Sequence, residues 1–554
     1  MRKNTLPCSP LETNMNKKYV KKLSPLLTLA LICGYSTSAL STSKEVKAVK
    51  YQANWDSLRT HQVPQWAKDA KFGVYAHWGI YSVVGGWDLD RNWGNDIITG
   101  YTGIYNANVK SQKRVEFEKH IGKISEGVGY KDLAMTFKPT KFDASQWADL
   151  IKRSGAKYAG IAAVHHDGYA LWDSEFTSFD AKDTGPQRDL FGELLTAVEG
   201  EGLKTMASFH HARTYKQFQG IKKRLAKFPE LSKVDLFDEK NKDIYWYAFD
   251  LESFIQTRYD MTKEVIWKYK PDVLWFDGGG GKFGTEKILA EYFNMGLEND
   301  KEVSVHNKGN FGKNFGVYSY ENGHKRPLFI DWPWEDDTPS AKGWCDWPWQ
   351  KDMEYKKPKD IVLRLIDLVA RNGGLLLSLN PRPDGALDQG QIDLLLGVGK
   401  WLEQNGEAIY NTVPWKKFAE GHTERLDWFQ YSAKGKQSRS IQPDTTKFSW
   451  KDYRFTRNDN TLYATSLGLP LSKQAEIKTL ATSTALSDIN TIKSVVLLGY
   501  GEVKWSRNDK ALSIELPDEL PNKLALSFKI EVFGSLDKSK PLYDAKLMKM
   551  PKKT

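Results

Sequence analysis

The sequence predicts an α/β protein with a (β/α)8-type catalytic barrel followed by a C-terminal β-sandwich. From about residue 65 to residue 411, short apolar runs alternate with amphipathic stretches, a pattern typical of parallel βα units. Histidine, aspartate and asparagine residues stand where the apolar runs end, which is where such a barrel presents its catalytic groups. After Pro414 the helical periodicity stops and short strand-like segments remain.

Buried parallel strands are expected as near-continuous apolar runs. The runs that meet this expectation, and are predicted as strands, are 72–77, 158–165, 205–210, 273–277, 303–306, 328–331 and 375–380. The amphipathic stretches predicted as helices are 144–154, 190–201, 254–269, 359–371 and 389–404. Asp143 precedes the first of these as an acidic N-cap. Strands of the C-terminal domain are predicted in the segments 454–467, with a turn at 458–460, and 492–498, 511–516 and 523–533.

The chain divides into four predicted segments. Residues 1–41 indicate a signal peptide, because lysines precede a short apolar core at 23–35 and small residues follow it. The core is too short for a stable membrane span. The catalytic barrel is predicted at 55–414, the β-sandwich at 415–535 and a basic tail at 536–554. We therefore expect a secreted or periplasmic bacterial protein.

Composition limits the classes of function. The chain is 40% hydrophobic and 27% charged, which is the balance of a soluble globular protein. Its net charge of +11 falls to about +6 without residues 1–41, and such a mild excess predicts no nucleic-acid partner. Aromatic residues reach 13%, with 20 Trp, and a carbohydrate site would use part of that surplus because indoles stack on sugar rings.

Asp277 is the first candidate catalytic residue. It ends the apolar run that begins at Val273 and is followed by four glycines, which let backbone and ligand approach closely. A retaining glycosidase needs a second carboxyl group about 5–5.5 Å from its nucleophile. Glu321 and Glu335, both predicted in loops, are the candidates for that group.

Histidines cluster at the predicted strand ends. The candidates there are His77, His165, His166, His210 and His306, with Asn380 on the last strand. Neutral imidazoles bind sugar hydroxyls as donors and acceptors. A metal site built from such histidines and Asp277 is the alternative. The chain has no HExxH motif, so we predict that no metal and no cofactor is required.

Several long motifs, in order, resemble glycoside hydrolase family 29, the α-L-fucosidases. They are KFGVYAHWGIYSV (71–83), FDASQWA (142–148), HHDGYALWDS (165–174), LWFDG (274–278), NGGLLLSLNPRPDG (372–385) and WLEQNGEAIYNT (401–412). The resemblance spans roughly residues 60–530.

The resemblance implies a role for individual residues. Asp277 matches the nucleophile, and Glu321, ranked before Glu335, matches the acid/base. Residues that it places around the sugar are His77, Trp78, Trp87, His165 and His166. Lys308 stands where many members have an arginine, and His210 or His211 stands where many have paired tyrosines.

These departures leave alternatives open. The resemblance implies a retaining exo-α-L-fucosidase that releases terminal α-L-fucose from oligo- or polysaccharides. The lysine-rich segment 213–243 and the unusual segment 88–122 extend this expectation to sulfated fucans. An endo-acting fucanase on the same barrel and a non-catalytic fucose-binding protein remain as alternatives. The sequence does not predict an oligomeric state.

Overall fold

The structure is a computed structural model. It describes residues 49–89, 104–105, 110–228, 231, 234–248, 250–278, 282–309, 311–322, 329, 331–343, 346–423, 448–484, 489, 491–536 and 538. The predicted signal peptide, most of segment 88–122 before residue 110 and nearly all of the predicted basic tail lie outside these residues. Among the described helices, none is long and apolar enough to cross a membrane.

Eight parallel strands close into a barrel in chain order. They are β1 (Phe72–Ala76), β2 (Tyr158–Val164), β3 (Lys204–Phe209), β4 (Val273–Phe276), β5 (Ser304–Asn307), β6 (Val317–Glu321), β7 (Trp334–Pro339) and β8 (Gly373–Leu379). Val74 of β1 lies opposite Ala159 of β2 on one side and Leu377 of β8 on the other, which closes the ring. The predicted fold class is confirmed.

The described α-helices surround the barrel and connect its strands. They are Trp55–Leu58, Gln65–Ala70, Tyr81–Val84, Gln112–His120, Tyr130–Leu133, Ala144–Arg153, Leu190–Gly200, Thr214–Leu225, Leu251–Tyr269, Thr285–Glu298, Pro358–Ala370 and Gln389–Asn405. The Asp143 side chain accepts a hydrogen bond from the Gln146 amide and so caps its helix as predicted. That helix buries Trp147 and Ile151 toward the strands.

The strand prediction was wrong in the part of the barrel between β5 and β8. Phe329 and Asp331, the described residues of the predicted strand 328–331, lie in no strand. The sequence interpretation missed β6 and β7 because both carry polar side chains, among them Asp336 and Asp337, and are not apolar runs. As a correction, Glu321 and Glu335 therefore lie within strands and not in loops.

The C-terminal domain consists of two antiparallel sheets. A six-stranded sheet and a three-stranded sheet contain β9 (Val413–Glu420), β10 (Tyr453–Asn458), β11 (Thr461–Ser466), β12 (Gln474–Ile477), β13 (Ile492–Leu497), β14 (Gly501–Glu502), β15 (Trp505–Arg507), β16 (Leu512–Glu515) and β17 (Ser527–Val532). Buried Arg454 of β10 donates to Asp367 on helix Pro358–Ala370 over 2.5 Å, which ties this domain to the barrel.

Candidate active site

Asp277 follows β4 directly, at the carboxyl end of the barrel. Its side chain is 5% exposed, and its amide donates to the Phe209 carbonyl over 3.0 Å, which fixes the residue against β3. The Lys308 ammonium lies 2.9 Å from Asp277 Oδ1. On the other oxygen, Oδ2, Arg213 Nε lies at 3.4 Å and His166 Nε2 at 3.5 Å.

These neighbours decide the charge of Asp277. Burial acts to raise the pKa of the carboxyl group, but Lys308, Arg213 and two histidines hold it well below its ordinary value. Asp277 is therefore an ionised carboxylate at neutral pH, which is the state that a nucleophile requires.

Lys308 joins Asp277 to a second carboxylate. Its ammonium, directly after β5, contacts Asp277 Oδ1 at 2.9 Å and Glu321 Oε2 at 3.0 Å. Those two oxygens can therefore be no more than about 6 Å apart. Glu321 ends β6 and its side chain is 32% exposed, so its carboxylate can reach a group that enters from solvent.

Four histidines surround Asp277 on the side of β1 to β3. The rings of His165 and His210 stack with centroids 4.3 Å apart, and His77 lies 5.0 Å from His210. Tyr75 lies 5.0 Å from the His77 ring, and Trp275 lies 5.2 Å from the His210 ring. Because Tyr75 and Trp275 belong to the barrel interior, they form an aromatic floor under the cluster.

The histidines are neutral. Burial lowers the pKa of His77 to about 3 and that of His166 to about 4, and it lowers those of His165 and His210 well below the ordinary value. Within the described part of the chain, neither nitrogen of buried His165 has a hydrogen-bond partner. An unpartnered buried imidazole is costly, so this ring is prepared to bind polar groups of a ligand.

Three pocket residues escaped the sequence analysis. Asp337 of β7 lies in register opposite Glu321 and accepts a hydrogen bond from Tyr75 over 2.8 Å. Burial raises the pKa of Asp337 well above its ordinary value, although Lys308 opposes the shift. Arg213 and Trp347, whose ring lies 5.0 Å from His77, are the other two. No motif singled out Asp337 or Trp347, because β7 is not an apolar run and Trp347 lies in a loop, and Arg213 entered the sequence analysis only as the first residue of segment 213–243.

Glu335 and His306 lie deeper in the barrel. Glu335 Oε2 accepts from Tyr158 at 2.6 Å and pairs with His306 Nδ1 at 3.0 Å, and Oε1 accepts from Trp275 at 3.2 Å. Burial acts to raise the pKa of Glu335, but the His306 pair and the hydrogen bonds lower it. Both oxygens of Glu335 are engaged by groups inside the barrel. The geometry therefore favours Glu321 as the partner of Asp277.

Three predicted sugar-binding residues are not brought to the cluster. Trp78 is buried among Phe137, Phe142 and Trp147. Trp87 stacks on His120 with ring centroids 5.1 Å apart. His211 turns its ring toward Phe209, Trp246 and Thr262, on the outer side of β3. Asn380 acts indirectly, since its amide donates to the carbonyls of Asp346 and Trp347 and so fixes the loop that carries Trp347.

The same cluster has the geometry of a cation site. His77, His165 and His210 offer one ligand atom each within 4.8 Å of one another, and His166, His210 and Asp277 do the same. Nitrogen and carboxylate ligands of this kind suit zinc. The neutral state of the rings serves either a metal or sugar hydroxyls, so the donor set alone does not separate the two.

Comparisons with known proteins agree with this geometry. The family model described as Alpha-L-fucosidase matches residues 38–407, and the model described as Alpha-L-fucosidase C-terminal domain matches residues 442–531. Human tissue alpha-L-fucosidase is 27% identical over 521 residues, covering 91% of this chain and 95% of that protein. The alpha-L-fucosidase of Dictyostelium discoideum is 27% identical over 384 residues, covering 67% and 76%.

A solved structure gives the same result. The Thermotoga maritima alpha-fucosidase in complex with fucose superimposes with a TM-score of 0.62 at 25% identity, covering 87% of this chain and all of that one. The first family model alone matches well over half of the chain. Barrel, buried carboxylate and sequence likeness together show that this chain belongs to the alpha-L-fucosidase family of glycoside hydrolases.

Proposed function

We propose that this alpha-L-fucosidase is a retaining exo-enzyme that removes terminal α-L-fucose from oligo- or polysaccharides by double displacement. The observation that carries the proposal is the pairing of Asp277 and Glu321 on one ammonium group, which keeps two of their oxygens within about 6 Å. Retaining glycosidases place their carboxyl groups about 5–5.5 Å apart, whereas inverting enzymes need roughly 6.5–9.5 Å to admit a water molecule.

Each step has a residue to perform it. In the first step, Asp277 attacks the anomeric carbon while Glu321 gives its proton to the departing glycosidic oxygen, and the glycosidic bond breaks. In the second step, Glu321 takes a proton from water, and that water attacks the anomeric carbon and releases fucose and the Asp277 carboxylate. The neutral imidazoles of His77, His165 and His210 hold the sugar hydroxyls.

Exo action is supported by the shape of the site. Tyr75 and Trp275 close the floor beneath the histidines, and the histidines and Asp277 are themselves buried, so the site suits an enclosed terminal sugar residue. A Thermotoga maritima relative was solved with fucose and with a mechanism-based inhibitor, and this supports a fucosyl-enzyme intermediate here. An endo-acting fucanase would release oligosaccharides instead, and a non-catalytic protein would bind fucose without turnover.

Stereochemistry tests the mechanism most directly. We expect NMR to show α-L-fucose as the first product of an aryl α-L-fucoside, because two displacements restore the anomeric configuration. Asp277→Gly should lower kcat by about 10⁴-fold or more, as loss of a nucleophile does. Azide, which is small enough for the vacated space, should restore turnover and yield a fucosyl azide. A β-configured first product, or full activity in Asp277→Gly, would refute the mechanism.

The metal-dependent alternative rests on the ligand geometry of His166, His210 and Asp277. We expect a strong chelator to leave kcat and KM unchanged, since the proposed steps need only protein groups. Loss of activity that added zinc restores would instead identify a metallohydrolase.

Export is part of the proposal. The leader at residues 1–41 has the order of a signal peptide, a basic stretch followed by an apolar core and small residues. We expect N-terminal sequencing of secreted or periplasmic protein to start near residue 40. Retention of the apolar segment in the mature chain would contradict this.

A further inference from the structure

Arg213 stands at the mouth of the pocket, and the described residues occupy only one edge of its guanidinium group. Its Nε donates to the Gly278 carbonyl over 3.0 Å and lies 3.4 Å from Asp277 Oδ2. The side chain is 48% exposed. Within the described part of the chain, neither Nη group has an acceptor. One edge of the guanidinium therefore anchors it beside the nucleophile, and the other edge faces the entrance.

Gly278 fixes this position. A Cβ atom added at Gly278 would lie 2.1 Å from Arg213 Nη2, so any other residue after the nucleophile would displace the guanidinium. The glycine thus allows the cation to lie across the backbone next to the reacting atoms. A guanidinium presents parallel N–H groups that match the oxygen pairs of oxyanions.

The charge balance favours an anionic ligand. The first step of the proposed mechanism requires a proton on Glu321, and in that state Asp277 is the one carboxylate that faces the two cations Lys308 and Arg213. Helix Thr214–Leu225, which starts at the next residue, has no acidic residue and carries Lys216 in its first turn, while its other three basic residues lie in its last turn. A negatively charged sugar chain would be attracted to this side of the pocket.

We propose that Arg213 is a specificity-determining residue that binds a sulfate ester on the substrate, carried by the fucose unit or by the neighbouring sugar. The inference rests on the proposed fucosidase function and gives it a substrate class, a sulfated fucose-containing glycan. The guanidinium compensates the repulsion between the sulfate and Asp277, which a neutral substrate does not experience.

The test compares sulfated and neutral substrates that are otherwise identical. One pair is an aryl α-L-fucoside with and without a sulfate on the fucose ring. The other pair is a fucosyl disaccharide with and without a sulfate on the second sugar. The variants are Arg213→Met, which removes charge and donors, and Arg213→Lys, which keeps the charge but loses the planar fork. Lys216→Met, an exposed lysine in the first turn of the next helix, is the matched control.

We expect wild-type kcat/KM to favour the sulfated member of at least one pair. Arg213→Met should lower that preference about tenfold or more, as loss of a charge-assisted contact does. Arg213→Lys should lose part of it and Lys216→Met none. The pair that responds shows which sugar carries the sulfate. No preference in the wild type, or an equal preference in Arg213→Met, would overturn the proposal.

A binding measurement separates this inference from catalysis. In the Asp277→Asn background, calorimetry with the sulfated disaccharide should show weaker binding when Arg213→Met is added, and neutral disaccharide binding should change far less. Equal weakening of both would overturn the proposal. Absence of hydrolysis of every neutral fucoside by the wild type would contradict the proposed function instead, and it would leave the calorimetric comparison decisive.

Discussion

The barrel interior holds two carboxylate centres, one above the other, and they differ in how completely their partners satisfy them. In the inner centre, Tyr158, His306 and Trp275 surround Glu335 with hydrogen-bonding groups. In the outer centre, Asp277 and Glu321 share the Lys308 ammonium and face the pocket. Glu335 is enclosed by internal partners, which suits a structural carboxylate, whereas Asp277 and the 32% exposed Glu321 lie against the pocket, where a substrate can reach them.

The nearby histidines repeat this contrast. In the inner centre His306 pairs Nδ1 with Glu335, and only its Nε2 lacks a described hydrogen-bond partner. In the outer centre, described partners leave both nitrogens of His165 unsatisfied. The reactive centre is therefore the one whose polar groups lack more hydrogen-bond partners, and the residue type alone does not show which centre that is. Substitutions that remove one carboxylate at a time measure the difference between the centres.

After Asp277→Gly, the largest effect is expected for Glu321→Gln. The amide cannot donate a proton to the leaving group, so kcat/KM on a fucosyl disaccharide should fall by about 10²–10⁴-fold. An aryl fucoside with a stable phenolate leaving group should lose much less in the first step. Equal losses on the two substrates would contradict the role of Glu321 as the general acid. Glu335→Gln serves as the matched control and should show no such dependence on the leaving group.

A smaller effect, visible in the pH profile, is expected for Lys308→Met. Burial opposes ionisation of Asp277, and Lys308 is the strongest group that lowers its pKa. Without the ammonium the pKa of Asp277 rises, so the acid limb of the kcat/KM profile should move to higher pH by about one unit or more. Stability changes in the same direction. The depressed pKa of Asp277 stabilises the fold at pH values above the unfolded-state pKa of about 4, and this stabilisation is lost as pH falls. Lys308→Met lacks part of this stabilisation.

Lys308→Arg is the control for that prediction. It keeps the positive charge, and arginine is the residue that the family resemblance implies at this position. Its acid limb should stay close to that of the wild type. An acid limb that is the same in Lys308→Met and the wild type would show that Lys308 does not govern the ionisation of Asp277.

The smallest effect on turnover is expected for Glu335→Gln. An amide nitrogen would face donors that now bind carboxylate oxygens, so the free energy of unfolding should fall by about 2–3 kcal/mol. The midpoint of thermal unfolding measures this loss. The kcat/KM of folded enzyme should stay within about threefold of wild type. A large loss of kcat/KM without a change in the free energy of unfolding would show that Glu335 takes part in the reaction, and the inner centre would then not be purely structural.

The sequence by itself determined the barrel, the C-terminal β domain and the family. Long apolar runs separated by amphipathic helices predict parallel βα units because both patterns are local. A local pattern also identified Asp277 and the histidines at strand ends. An apolar run that stops at a polar residue can be recognised in the sequence without knowing what that residue contacts. The missed strands β6 and β7 show the limit of this approach, because strands with polar interiors carry no such signal.

Only the tertiary structure decided which charged groups meet. Lys308 lies 31 residues after Asp277 and 13 residues before Glu321, and the parallel pairing of β4, β5 and β6 brings the three side chains together. Strand register likewise assigns Glu335 to the inner centre and Asp337, two residues on, to a position opposite Glu321. Side chains two residues apart share a face of a strand but lie at different depths in the barrel. The two carboxylate centres are therefore distinguished by which charged groups lie close together in space, and no local sequence pattern encodes that.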